Sequence, residues 1–342
     1  MPFVISTQPF GPLATDSEPL TEYILKHPET GEFMSIIPAF GALLRRLVLR
    51  KGSDLMALIK APESPQALLA DESYASALLY PFPSRIRHGI YHFDGEDYAL
   101  PMNEPNRQNA LHGLVRGKPF SFVSEETTDT YARLVLRHDY AGEVTGYPFP
   151  FALTVAYTLI QANQLRFGSR TTDRMCALRV SYSALNTGTR SCPAAFGWHP
   201  YFTFSNESID DLTLSLPART AIVLDGNMIP AGRQPVGQAA TVALRDKNLD
   251  MPFAIEPMPA STTEDSFAET ILTSQKTGMR LIIGQETGAG KLNFLVCYTP
   301  LRRDSVAVEP LTANVDAFNN GDGLAILKPG DDLAGTIWVR LD

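Results

Sequence analysis

Apolar residues in this chain fall into short runs, many alternating with polar ones, each closed by glycine, proline or a polar turn. Such runs occupy 120–126, 132–140, 177–186, 211–217 and 220–224, and again 279–284, 294–299, 305–310 and 336–341. Their length and turn-bounded spacing predict β-strands. In ALRVSYSAL the alternation sets Leu178, Val180 and Tyr182 on one face, as in a strand buried on one side. The strongest helix signal is short: Ser64 and Pro65 supply a cap and a first-turn proline for a helix over 65–78.

No regular strand–helix alternation runs along the chain, so doubly wound and (β/α)₈ folds are disfavoured. No repeat of 20–50 residues and no low-complexity linker divides it. The polar stretch 231–250 has strand-like runs on both sides. The pattern predicts an all-β protein: one large antiparallel sandwich over residues 1–342, with few short helices and with residues 1–19 as a loose N-terminal extension. The 24 glycines and 26 prolines sit mostly between runs, at spacings that suit a sandwich or barrel.

Composition narrows the functional classes. Of 342 residues, 44% are hydrophobic and 19% charged, enough apolar material for a large core and too few charges for long disorder. The net charge of −8 argues against nucleic acid and against an anionic membrane surface as partners. No apolar stretch approaches a membrane span and the N-terminus lacks a signal-peptide pattern, so a soluble, cytoplasmic protein is expected. Cys176, Cys192 and Cys297 are odd in number and lack CxxC spacing, which favours neither a disulfide framework nor a zinc ribbon.

Several residues stand out chemically. TGAGK (287–291) lacks the full phosphate-loop frame and reads as a hairpin turn. His88 and His92 have i, i+4 spacing but no third ligand in view, so no metal site is expected. His112, in NALHGLVR, is either a turn histidine beside a glycine the backbone needs or a functional one. His199, in FGWHPYF, is either a core histidine or an imidazole partly desolvated by aromatic walls and poised for proton transfer. Glu309, in SVAVEPL, keeps register with Ser305 and Ala307 rather than with Val306 and Val308. A carboxylate there is either a solvated edge residue or a paired, functional one. Arg85 and Asp265 read alone as surface charges.

Taken together, these segments resemble the aldose 1-epimerase (galactose mutarotase) family. FPSRI with Arg85 is similar to its N-R-I segment, NALHG with His112 to N-x-L-H-G, and GWHPYF with His199 and Tyr201 to H-x-Y-F. EDSF with Asp265 resembles D-H-x-F, and VEPLTANVDAFN with Glu309 resembles E-x-Q…D-A-x-N. The five occur in the family's order across roughly residues 20–341, and GYPFPF (146–151) also fits. Ser84 stands where asparagine is usual, Leu114 where a second glycine is, and Ser266 where a histidine is. The resemblance implies a galactose mutarotase-like sandwich that interconverts the α and β anomers of a free aldose, a monosaccharide, without metal or other cofactor, as a monomer or homodimer. It implies Glu309 as base and His199 as acid, with Arg85, His112, Tyr201 and Asp265 holding the sugar. Trp198 is read either as a stacking face or as core. Competing readings are a hexose-6-phosphate mutarotase, for which Arg87, Arg107 and Arg116 would supply the phosphate pocket, a catalytically silent sugar-binding protein, and a glycoside hydrolase using Asp265 and Glu309.

Overall fold

A computed structural model of the chain describes residues 2–15, 17–165, 175–205, 207–217, 220–236, 241–255 and 266–342. Every strand-like run named above overlaps a strand, and every ladder among the described residues is antiparallel. Three large sheets carry the fold. The first, of five strands in chain order, is built from Val4–Pro12, Pro19–Lys26, Phe33–Ile37, Leu43–Lys51 and Asp54–Ala57. The expected loose extension is thus the edge strand of this sheet, with Val4 opposite Lys26 and Pro12 opposite Pro19.

The second sheet has nine strands, and the C-terminal strand Asp332–Leu341 lies at its centre between Cys176–Asn186 and Arg280–Thr287. The third, of eight strands, includes Asp250–Ala254, Phe294–Tyr298, Val306–Leu311, Gly197–His199 and Ala77–Leu79 as successive neighbours. One continuous apolar cluster joins the three sheets: Leu44, Leu47 and Leu49 from the first, Leu178, Val180 and Tyr182 from the second, and Trp198, Val306 and Val308 from the third. TGAGK forms the turn that carries the chain from Arg280–Thr287 to Phe294–Tyr298. Those strands belong to different sheets, so the turn is a crossover and not a hairpin. Two strands that overlap the polar stretch 231–250 were not anticipated, Pro230–Pro235 and Thr241–Ala243.

The expected helix is shorter than its pattern. Ser64 caps it, accepting from the Ala67 amide, but it ends at Ala70. Asp71 there turns the chain out of helical geometry, and residues 71–76 become a loop with Tyr74 and Ser76 both at φ 57°. No helix among the described residues is long and apolar enough to cross a membrane.

Candidate active site

The pleat of the third sheet decides which side chains share the site. In Val306–Leu311, Val306 and Val308 point into the main core, so Ala307, Glu309 and Leu311 face the other way. Ala307 packs with Tyr201 and Ala75, and Leu311 with Ala77, Leu79, Phe294 and Val296. Gly197–His199 obeys the same rule: Trp198 is fully buried in the core, which leaves His199 on the Glu309 face and removes Trp198 as a stacking surface. Pro200 interrupts the strand before Tyr201 and presents its carbonyl to the Val308 amide, bringing Tyr201 beside His199 with ring centroids 5.1 Å apart.

Glu309 and His199 meet directly. The Nε2 of His199 lies 3.3 Å from Oε1 of Glu309, and both side chains are almost wholly buried. The edge-glutamate reading therefore fails. Burial drives both groups toward neutrality: it lifts the Glu309 carboxyl well above its ordinary range, with the charge of Asp250 adding to the rise and Arg85 opposing it. It lowers the His199 imidazolium to about 4. His199 Nδ1 is buried with no hydrogen-bond partner among the described residues.

His112 approaches from the strand pair Asn109–Leu111 and Arg85–Arg87. Its amide donates to the Ser84 carbonyl (2.8 Å), and the Ser84 amide donates to His112 Nδ1 (3.2 Å). Because Nδ1 accepts, the neutral ring carries its proton on Nε2. Burial, followed by the neighbouring His199, Arg85 and Arg116, holds the His112 pKa well below the imidazole range, so the ring is neutral. Its ring lies 5.2 Å from that of His199. Gly113 adopts φ 74°, and a Cβ there would sit 2.3 Å from the Tyr80 carbonyl oxygen. The glycine of NALHG is therefore required by a close backbone approach, and the histidine beside it is delivered to the site by the same turn.

Arg85 is not a surface charge. Its guanidinium makes two parallel 2.9 Å hydrogen bonds to Glu104, and both side chains are largely covered. Burial alone would raise the Glu104 carboxyl, but hydrogen bonds from Arg85, Asn109 and Arg107 and the charge of Arg85 bring it down to about 2. Asp316, in the VDAFN segment, binds this strand to the rest of the site: its amide donates to the Arg85 carbonyl (2.8 Å), and Oδ1 accepts from the Arg87 amide (2.9 Å). Asp316 is thus a fastening residue, and of the two carboxylates in that motif only Glu309 faces the site.

Arg85, His112, His199, Tyr201 and Glu309 converge on one face of the third sheet. Asp265 lies outside the described residues. The structure adds carboxylates that the sequence reading missed, Glu104 and Asp250. Asp250 opposes Tyr298 on the strand next but one to that of Glu309, is half-buried, and interacts electrostatically with Glu309, Arg85 and Arg107. A signal for it was present: Asp250–Met251–Pro252–Phe253 has the D-x-x-F spacing, whereas in Asp265–Ser266–Phe267 the aromatic comes one position early. His92 hydrogen-bonds Asp97 on an exposed hairpin, and among the described residues no group of three or more His, Cys, Asp or Glu side chains is placed to hold a metal ion.

The chain is similar to several known proteins. The aldose 1-epimerase family matches residues 23–175 and 171–340. An uncharacterised Escherichia coli protein, YihR, is 27% identical over 309 residues, covering 88% of this chain and 87% of YihR. A probable aldose 1-epimerase of the fungus Arthroderma benhamiae is 27% identical over 214 residues, 58% of this chain and 46% of its own length. Among solved structures, a galactose mutarotase-like protein from Clostridium acetobutylicum superposes with a TM-score of 0.78 at 16% identity, over 99% of this chain and 98% of its own. Galactose 1-epimerase from Lactobacillus acidophilus superposes at 0.76 and 18%, over 99% of both chains. These structural likenesses establish the fold.

Proposed function

The chain belongs to the aldose 1-epimerase family, and we propose that it interconverts the α and β anomers of a free aldohexose by acid–base ring opening and closure. The observation that carries this reading is the buried contact of His199 with Glu309. Opening a hemiacetal requires loss of the C1 hydroxyl proton and gain of a proton by the ring oxygen. Both oxygens are bonded to one carbon, so acid and base must lie close together on one substrate. Glu309 takes the hydroxyl proton and His199 gives one to the ring oxygen. The open aldehyde rotates about C1–C2, and reversal of the two transfers closes the ring on its other face.

Ring opening converts a carboxylate and an imidazolium into a carboxylic acid and an imidazole, and ring closure restores the charged pair. Burial favours the neutral arrangement, so the charged pair in which Glu309 is the base is the higher-energy tautomer of the same one-proton state. The pair holds one mobile proton throughout, so no net proton is exchanged with water. His112, with its hydrogen on Nε2, donates to a sugar oxygen. Arg85, held by Glu104, and Tyr201, whose hydroxyl is fixed on the Ser73 carbonyl, shape the sugar's surroundings. Asp265, from the EDSF segment, remains a proposed sugar-binding residue.

The phosphorylated-sugar reading is less well supported. Arg107 and Arg116 pair with Glu104 and Asp71, and Arg87 lies 3.8 Å from Asp225, so each guanidinium already faces a carboxylate. A hydrolase would need a second carboxylate set across the substrate from Glu309, whereas the immediate partner of Glu309 is an imidazole.

Polarimetry on freshly dissolved α-D-glucose and α-D-galactose tests the proposal, with hexose 6-phosphates followed by NMR. The parent protein should speed equilibration, while Glu309→Gln and His199→Asn should each lower kcat by at least about 100-fold with sugar binding retained. A Glu309→Gln protein that equilibrates aldoses at the parent rate would refute the assignment.

A further inference from the structure

We propose that Tyr74 is a sugar-contacting residue that donates its phenolic hydrogen to a substrate hydroxyl beside His112, and so helps to select the aldose. The proposal rests on the mutarotase reading of the site.

The first observation is placement. The loop that replaces the second half of the expected helix lies along the site. Its Ser76 amide donates to the His199 carbonyl (2.9 Å), and its Ser73 carbonyl accepts from the Tyr201 hydroxyl (3.0 Å). The Tyr74 ring lies 4.7 Å from that of His112 and packs on the apolar cluster of Ala77, Leu79, Val296 and Leu311, on the same sheet face as Glu309. Tyr74 holds a left-handed φ of 57°, a conformation that bulky side chains avoid unless the surroundings impose it.

Here Asp71 imposes it. Its carboxylate accepts from the amides of Ser73 (3.1 Å) and Ala75 (3.2 Å) and from Arg116 (3.1 Å), and Arg116 also lies over the Tyr74 ring at 4.3 Å. A strained aromatic residue is thereby fixed at the edge of a buried acid–base pair.

The second observation is a count of hydrogens. Asn103 Nδ2 donates to the Leu111 carbonyl and to the Tyr74 hydroxyl, both at 2.9 Å, and Asn103 Oδ1 accepts from the Leu111 amide at 2.7 Å. A backbone carbonyl can only accept and a backbone amide can only donate, so the orientation of the Asn103 side chain is fixed. Tyr74 therefore accepts from Asn103, and its own hydrogen has no acceptor among the described residues. His112 presents Nε2–H from the adjoining ring for the same reason, since its Nδ1 is taken by Ser84. Two neutral donors, each oriented by a second partner, are set side by side. The chemistry that matches them is an edge bearing hydroxyl oxygens, as on a sugar ring.

Tyr74→Phe removes the donor and keeps the ring. Binding of D-glucose, D-galactose and their monodeoxy forms would be measured by calorimetry, and anomerisation by polarimetry and NMR. Loss of one neutral hydrogen bond should raise Kd and KM for the preferred aldose by about three- to tenfold, with kcat changed less than about twofold. The monodeoxy sugar lacking the hydroxyl that meets Tyr74 should bind the parent protein more weakly than the intact sugar does, yet bind parent and Tyr74→Phe equally. Unchanged affinity for the intact aldose overturns the proposal, as does an equal loss for every deoxy sugar, which would mark a structural role. Binding separates this result from the mutarotase reading. A parent protein that binds aldose without turning it over, and loses affinity on Tyr74→Phe, sinks that reading and upholds the Tyr74 contact. Full loss of rate in Glu309→Gln beside unchanged binding by Tyr74→Phe does the reverse. A parent protein that binds no aldose overturns both.

Discussion

Glu309 and His199 are displaced by burial in opposite directions, and this reverses the order in which they titrate. With ordinary values, the acid limb of a rate profile would belong to the glutamate and the basic limb to the histidine. Here His199 lies at about 4 and Glu309 well above its usual value, so the pair keeps its single working proton between the two. In the proposed cycle, the pair below His199's value gains a second proton and has no base, and above Glu309's it has no acid. The profile of kcat/KM should fall as pH drops through about 4, and its basic limb should belong to Glu309. An acid limb centred near 6.5, the ordinary imidazole value, would contradict the buried-pair account. A stability prediction attaches to Glu104, whose folded pKa is lowered from 4.5 to about 2. The lowered value means stability is fully present above 4.5 and is lost as pH falls through about 2, an effect of order 3 kcal/mol. Urea unfolding of Glu104→Gln and parent should show a gap at pH 6 that narrows by pH 3; a constant gap would disprove the linkage. The register of Glu309 with Ala307 was legible because a pleat has period two. Asp250 and Glu104 were missed because a carboxylate's partners are set by tertiary packing, which no local spacing encodes.

Strands were legible at the scale of the element because alternation reports directly on a one-sided sheet. Leu178, Val180 and Tyr182 all lie in the core cluster as their spacing required. The helix was half legible: Ser64 and Pro65 marked its start, but PQALLADESYASAL carries apolar residues through a segment whose path is dictated by Asp71, Arg116 and the site. Local propensity yields there because the loop's hydrogen bonds to His199 and Tyr201 are made only outside a helix. Gly113 offers a test of how closely such turns are built. Its positive φ and the close Tyr80 carbonyl both oppose a side chain, so Gly113→Ala should destabilise by more than about 2 kcal/mol and lower kcat/KM through His112. Gly290→Ala is the control: φ is 70° there too, but nothing lies within 4 Å of the added Cβ, so only the conformational cost of about 1 kcal/mol is expected. Equal losses in the two variants, measured by thermal or urea unfolding, would show that the approach to Tyr80 is unimportant.

The site is assembled from residues far apart in the chain, and this ties its integrity to that of the whole molecule. Arg85 is fastened to Asp316 across more than two hundred residues, and the end of the strand Asp54–Ala57 is held by Ser205. The apolar cluster that crosses all three sheets leaves no plane along which one sheet could separate while keeping its own core. The sheets should therefore unfold together. The two tryptophans report on this from different places. Trp198 lies in the third sheet, one residue before His199, and Trp338 in the central strand of the second; both are fully buried. Emission of the native protein should be blue-shifted, and Trp198→Phe and Trp338→Phe proteins, each with one remaining reporter, should show fluorescence transitions in urea that coincide with their own circular dichroism transitions. Aldose binding should move both reporters' midpoints upward by equal free energies, because ligand bound at the third sheet stabilises the whole cooperative unit. A Trp338 signal that lost its structure at a urea concentration where the Trp198 reporter and sugar binding persisted would show that the second sheet unfolds on its own, and that the shared core does not couple it to the site.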